Sequence, residues 1–275
     1  MFWKKISGRP GNPTLQQGAA DREREILLTI VTVNRNNAAN LGKTLASLRQ
    51  LRDHPEVQFV FIDGASTDAS VEIACQFYRP EELASEPDSG IYNAMNKGLY
   101  RARGRYVLWL NSGDELLPSM QERVFQRLCE GGFGMLSFGV ECVDPGIPEH
   151  RHWIPTAESL PLHTLPHAAT FFDRRAVLRC GGYNEWFRIS GDKDLMLRLY
   201  FADEKLMCDD AIIARFYAGG ISSRREREIE DLYIAGKFEA PSVLKAFYWW
   251  LVADYRRGKR LWNYGLFRAK LALRR

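Results

Sequence analysis

The hydrophobic pattern divides the chain into apolar blocks that end on polar clusters. Ile26 to Val33 (I-L-L-T-I-V-T-V) is a nearly continuous aliphatic and β-branched run, as expected of a strand covered on both faces. Asn34-Arg-Asn-Asn interrupts it, and Asn40 then stands where it can cap a helix with apolar positions Leu41, Leu45, Leu48 and Leu51. Val57 to Ile62 predicts a second buried strand, closed by Asp63-Gly-Ala-Ser-Thr-Asp68. Val71 to Tyr78 predicts a helix capped by Asp68. A third strand, Tyr106 to Leu110, runs into Asn111-Ser-Gly-Asp114. This alternation implies parallel strands joined by right-handed crossovers. Farther on, Gly134 to Cys142 and Ala168 to Phe172 read as strands and Asp194 to Phe201 as a helix.

Three polar or acidic clusters thus follow three buried strands at their carboxyl ends, the edge at which open α/β sheets bind ligands. No glycine-rich turn follows the first strand, since Asn34-Arg-Asn-Asn-Ala-Ala contains no glycine, which argues against a nicotinamide dehydrogenase. Asp114 suits a hard divalent cation, with Gly113 keeping the approach open, and Ser-Gly-Asp also suits a surface turn. Asp63 can accept from a base N–H or ribose hydroxyls, or cap a helix. The polar stretch Ser85 to Gly98 contains a helix start near Gly90 that can face a phosphate or lie in a solvated loop. Asp192, in S-G-D-K-D-L-M-L-R-L, stands at a helix start as a general base or as an acid favourable to the helix dipole. His167 suits a ligand contact or a packed strand start, and Gly181-Gly182 a turn.

Composition changes little: of 275 residues, 45% are hydrophobic and 26% charged, ordinary for a globular enzyme and unlike disordered or collagen-like chains. The expected organisation is an N-terminal arm (1–24), a catalytic domain (25–240, with halves 25–114 and 115–240) and a C-terminal helical extension (241–275). Five scattered cysteines form no C-x-x-C pair, which argues against a zinc site and for a reducing cytoplasm. The start has no apolar run of a signal peptide, and no stretch approaches the roughly 20 apolar residues of a membrane span. The net charge of +4 hides an asymmetry, because residues 241–275 hold nine Lys or Arg, one acid and eight aromatic residues. Such a segment suits an anionic membrane surface, or covers the core or a second copy of the chain. It carries no recognisable nucleic-acid-binding module, so no nucleic-acid partner is expected.

In order and spacing, T-I-V-T-V-N-R-N, I-D-G-A-S-T-D, S-E-P-D-S-G-I-Y-N-A-M-N-K-G, G-R-Y-V-L-W-L-N-S-G-D, H-A-A-T-F-F, G-G-Y-N-E and S-G-D-K-D-L-M-L-R-L resemble the family 2 glycosyltransferases. They span Thr29 to about Ser223 and look most like the branch that builds bacterial exopolysaccharides, including colanic-acid-type enzymes. The resemblance implies a GT-A fold: an α/β, mostly parallel mixed sheet flanked by helices. It implies an inverting transfer from a nucleotide-diphosphate sugar to a hydroxyl of a lipid-linked saccharide. It places Asn34, Asp63 and Asn96 at the nucleotide, with Glu86 and Asp88 in the loop beside it. Asp114 falls at the Mn2+ or Mg2+ ligand, Asp192 at the catalytic base and His167 at an acceptor or diphosphate contact. The implied setting is cytoplasmic, peripheral at the inner-leaflet membrane surface through the C-terminal extension. Four positions depart from the pattern: Gly64 replaces the second acid of D-D-G-S, Asn111 and Gly113 replace earlier acids of the metal motif, and Asn93 stands where this branch often has Asp. Asp114 is thereby the motif's only carboxylate. The rival reading is an inactive sugar-nucleotide-binding or membrane scaffold protein.

Overall fold

Every residue of the first strand, β1 (Leu28–Asn34), is buried, because its alternate side chains enter two different cores. Leu28 and Ile30 pack with Leu41, Leu45 and Leu48 on one side of the sheet; Val31 and Val33 pack with Met95 and Leu99 on the other. The computed structural model describes residues 25–118, 120–144, 150–162, 164–217 and 226–238. The expected N-terminal arm and the basic aromatic extension lie outside the described residues.

β1 pairs in parallel with β2 (Val57–Asp63), from Leu28 opposite Val57 to Asn34 opposite Asp63. β3 (Leu83–Ser85) continues the sheet beyond β2, and β4 (Tyr106–Trp109) flanks β1 on its other side. Helices α1 (Ala38–Leu48), α2 (Ser70–Cys75) and α3 (Ile91–Arg101) connect these strands. The second half supplies β5 (Glu115–Leu116), α4 (Met120–Glu130), β6 (Met135–Val143), β7 (Arg151–Trp153) and α5 (Ser159–Leu162), the last kinked at Leu160. It continues with β8 (Thr170–Asp173), α6 (Arg174–Arg179), α7 (Gly191–Phe201), β9 (Leu206–Tyr217) and α8 (Glu226–Lys237). Among the described residues one sheet runs in the order β3-β2-β1-β4-β8-β6-β9-β5, with β7 on β6. β8 lies antiparallel to both β4 and β6, which makes the sheet mixed and joins the two halves in one layer. This is the α/β architecture expected of the GT-A fold.

Several local expectations shift. α1 begins at Ala38, with Asn37 preceding it, so Asn40 lies inside the first turn and is not the cap. Its amide instead donates to Asn37 Oδ1 at 2.8 Å. The cap arrives from a distant loop: Asp68 Oδ2 accepts the Ala38 amide at 2.9 Å while Oδ1 accepts that of Ser70 at 3.0 Å. Asp68 thus serves the starts of α1 and α2 together. α2 stops at Cys75, and Tyr78 lies beyond it, donating from its buried hydroxyl to Thr32 Oγ1 at 3.0 Å. Residues His167–Ala169 form a 3-10 turn, so the strand there starts only at Thr170. Among the described residues no helix is long and apolar enough to cross a membrane.

Phe171 sits where the two halves meet, opposite Leu108 of β4 and Leu136 of β6, edge-on to Phe138 at 5.8 Å. Phe171→Ala is expected to destabilise the protein by about 3–5 kcal/mol, the usual effect of emptying a phenylalanine site in a closed core. Urea unfolding should show a lower midpoint with an unchanged slope.

Candidate active site

The carboxyl ends of β1, β2 and β3 converge on one buried charge. Asp63 is 0% exposed, opposite Asn34 on one side and Ser85 on the other. Its Oδ1 accepts from Asn34 Nδ2 at 2.9 Å and Ser66 Oγ at 2.5 Å; Oδ2 accepts from the Ser66 amide at 2.8 Å and Ser85 Oγ at 2.7 Å. Burial pushes this carboxyl up, but the bonds from Ser66, Asn34 and Ser85 together outweigh it and hold it below the usual range. The Asn34 carboxamide oxygen, in a residue only 4% exposed, has no partner among the described residues. An unpaired buried acceptor of this kind suits an incoming N–H or hydroxyl donor.

Gly64 follows Asp63, and a Cβ there would come within 2.2 Å of Asp88 Oδ2. Gly64 thus leaves the Asp88 carboxylate room to lie directly over it. Asp88 Oδ1 accepts the Gly90 amide at 3.0 Å and lies 3.5 Å from Arg35 Nη1. The start of α3 is thus already faced by a carboxylate. Glu86 is drawn elsewhere, 2.9 Å from Lys97 Nζ. The placement of Asn96 argues against direct nucleotide contact. Its amide N–H groups engage the Tyr183 carbonyl and Glu185 Oε1, and its oxygen accepts the Tyr183 amide, so it fastens the Gly182–Glu185 loop.

One strand over, beyond β4, Asn111 to Asp114 form a turn lashed to α1. Asn37 donates to the Ser112 carbonyl at 2.8 Å and the Gly113 amide to Thr44 Oγ1 at 2.8 Å. Gly113 is needed for its φ of 110° rather than for space, since an added Cβ would make only an ordinary 3.6 Å contact. Burial pushes the Asp114 carboxyl up to about 7, opposed by the Tyr217 backbone amide that donates to it. Asn111 Oδ1 is buried without a partner among the described residues. Carboxylate and carboxamide oxygens are the right donors for Mg2+ or Mn2+. Yet among the described residues no group of three or more His, Cys, Asp or Glu could hold a metal ion. Asp114 and Asn111 are two oxygen donors of one turn, short of a full protein ligand set among the described residues.

The third part of the site lies where α3 and α7 start. Asp192, in the first turn of α7, accepts the Lys193 amide at 2.9 Å and lies 3.5 Å from the Tyr92 hydroxyl, which donates to the Ile189 carbonyl. Tyr92 stacks on Tyr183 at 5.5 Å, and the Tyr183 hydroxyl meets His167 Nε2 at 2.7 Å. Burial lowers the His167 pKa while the Asp192 charge raises it. Trp109 of β4 contacts both His167 and Tyr183. Asp192 and His167 are therefore joined to the end of β4, the strand that leads to Asp114. Tyr92, Tyr183, Ser66 and Ser85 do not stand out as site residues in the sequence.

The family model described as Glycosyl transferase family 2 matches residues 29–187. Uncharacterized glycosyltransferase Rv1514c of Mycobacterium tuberculosis is 29% identical over 259 residues, covering 86% of this chain and 92% of that protein. The Bacillus subtilis glycosyltransferase TuaG, named for teichuronic acid biosynthesis, is 30% identical over 115 residues, 39% of this chain and 45% of that one. Among solved structures, the mannosyltransferase PcManGT from Pyrobaculum calidifontis in complex with GDP-Man and Mn2+ superposes with a TM-score of 0.58 at 16% identity. That match covers 76% of this chain and 64% of the other.

The Asp114 environment predicts a pH-dependent stability. Its folded-state pKa lies above the ordinary 3.8, so the native state holds the proton more tightly than the unfolded chain. The resulting cost is absent below about pH 4, grows as pH rises and levels off above about pH 7. Asp114→Asn should accordingly raise the melting temperature by roughly 2–8 °C at pH 8 and by almost nothing at pH 4, as calorimetry at the two pH values would show.

Proposed function

The chain belongs to glycosyl transferase family 2, and on that premise we propose that it transfers one sugar, with inversion, from a nucleotide-diphosphate sugar to a saccharide hydroxyl. The observation that carries this reading is the convergence on one sheet edge of an unpartnered buried Asn34 oxygen beside Asp63, an elevated Asp114 carboxyl beside an unpartnered Asn111 oxygen, and Asp192 at the start of α7. Asn34 and Asp63 hold the nucleoside, with Asp88 closing over Gly64. Asp114 and Asn111 supply the oxygen donors that would hold a divalent ion at the diphosphate end. That ion, when bound, neutralises charge on the departing diphosphate. Asp192 takes the proton of the acceptor hydroxyl as its oxygen bonds to the anomeric carbon, and the bond from that carbon to the diphosphate oxygen breaks on the opposite face. His167, hydrogen-bonded to Tyr183 near Asp192, borders the acceptor. A lone carboxylate makes metal affinity depend on the donor's own phosphates, so the ion should bind weakly without nucleotide.

The acceptor we assign to cell-surface or exopolysaccharide synthesis, on a lipid-linked saccharide at the cytoplasmic face of the membrane. The colanic-acid-like motifs and the name of TuaG support the first part, and the cationic, aromatic composition of residues 241–275 supports the second. Removing 241–275 should lower sedimentation with anionic vesicles while leaving nucleotide binding intact. Equal sedimentation would sink the membrane assignment.

A thermal-shift panel of UDP-, GDP- and dTDP-sugars, with and without Mn2+, should yield one donor class whose stabilisation depends on the metal. With that donor, Asp192→Asn should lower kcat for nucleotide-diphosphate release by about 10²–10⁴-fold, and Asp114→Asn should remove the metal dependence of the shift. Wild-type turnover in both variants would overturn the reading, and turnover absent from the parent would favour a scaffold.

A further inference from the structure

The loop that leads into α7 is tied down by a residue from the other end of the described chain. Glu230 of α8, only 9% exposed, accepts three consecutive backbone amides. Its Oε1 takes that of Arg188 at 2.8 Å, and Oε2 takes those of Ile189 at 2.9 Å and Ser190 at 2.7 Å. Ile189 and Ser190 are themselves buried, so without this carboxylate their amides would lack a partner where water does not reach. Bonds from amides to a carboxylate are the stronger, charge-assisted kind. Two more contacts hold α8 to the same helix: Lys237 Nζ meets Asp194 Oδ1 at 2.8 Å, and Lys193 Nζ lies 3.6 Å from Asp231 Oδ1. On the opposite side of the loop, the Arg188 guanidinium donates to the Ser89 carbonyl, just before α3.

We propose that Glu230 is a positioning residue for Asp192: by gathering the amides of 188–190 it sets the entry of α7 and so the place of the carboxylate two residues on. The proposal rests on Asp192 being the base. Asp192's side chain has only two polar neighbours among the described residues, the Lys193 amide and the Tyr92 hydroxyl at 3.5 Å. Its location therefore depends on the backbone that carries it. Tyr92 is tied to that backbone too, because its hydroxyl donates to the Ile189 carbonyl within the clamped segment. Displacing the segment would move the base and its neighbour together, and misplacement of a reacting group by about 1 Å can cost on the order of 10²-fold in rate. Glu230 also lies outside the residues that the family model matches, so the clamp is an observation on this chain's own structure.

The test uses the full-length chain with Glu230→Gln, whose amide turns a donor toward at least one of the three N–H groups. Hydrogen exchange across Arg188–Ser190 reports the clamp without reference to activity, and protection there should fall at least about tenfold. With the donor selected by the thermal-shift panel, kcat for nucleotide-diphosphate release should drop about 10–100-fold while the donor KM stays within about twofold. In a double-mutant cycle Glu230→Gln should add almost nothing to Asp192→Asn, because a residue acting through Asp192 has no effect once the carboxylate is gone. Additive losses, unchanged protection, or lost protection with normal kcat would each overturn the proposal. If Asp192→Asn itself turns over normally, the base assignment fails instead, and with it the role given to Glu230. Should Glu230→Gln not fold, Lys237→Met, which loosens α8 from α7 at Asp194, replaces it: the same loss of protection and kcat is expected, and the same three results would overturn the proposal.

Discussion

A carboxylate removed from water must be surrounded by donors, and the edge of the sheet that carries the candidate site is built around that requirement at Asp63. Burial alone would favour the protonated acid. Asn34, Ser85 and the amide and hydroxyl of Ser66 reverse the preference and keep the charge. Those groups come from the ends of three strands and the loop after the second, so the same bonds that stabilise the charge fix the relative height of the strand ends. The strand register prepares it: Asn34, Asp63 and Ser85 are aligned opposite one another before any side chain is considered. From that fixed point Gly64 follows as a residue without Cβ, and Asp88 can approach over it.

Asp114 shows the opposite treatment of the same functional group. It receives the Tyr217 amide and little else, so burial prevails and the carboxyl rises to about 7. Two acids at one sheet edge thus differ in how fully the protein answers their charge, and that difference assigns them different capacities. The satisfied one is an organiser. The unsatisfied one is the group for which the proposed function calls on a cation from outside, and the Asn111 oxygen in the same turn, without a partner among the described residues, shares that incompleteness. Uncompensated groups destabilise a fold when alone, which is a common condition of sites that await a ligand.

How much of this was legible in the sequence depends on distance along the chain. The first strands were legible because burial on both faces leaves uninterrupted apolar runs, and the clusters at their ends marked Asn34, Asp63 and Asp114. Helix starts were less so. Asn40 looked like a cap because its own side chain is suited to one, but Asp68 from across the loop performs that task for Ala38. Asn96 sits in a motif dense with polar residues, where its type alone does not distinguish a nucleotide contact from the loop-fastening bonds it makes to Tyr183 and Glu185. Glu230 left no local trace, since a glutamate on a charged helix reads as solvated until the fold brings three amides to it.

The two halves of the site are consequently held by different kinds of constraint. Around Asn34, Asp63 and Ser85, adjacent parallel strands deliver the polar residues, and hydrogen-bonded ladders tolerate little displacement between them. Asp192 and His167, by contrast, are placed by aromatic packing around Trp109 and Tyr183 and by side-chain bonds reaching across long stretches of sequence. Ladder register survives substitution of most side chains on it, whereas a side-chain clamp is lost with a single residue. The matched family region includes Asn34, Asp63, Asp114 and His167 and stops at 187, before Asp192 and Glu230. A scaffold built this way can keep its strand-end residues in place while the elements around α7 change, because only the second set depends on individual side chains for its geometry.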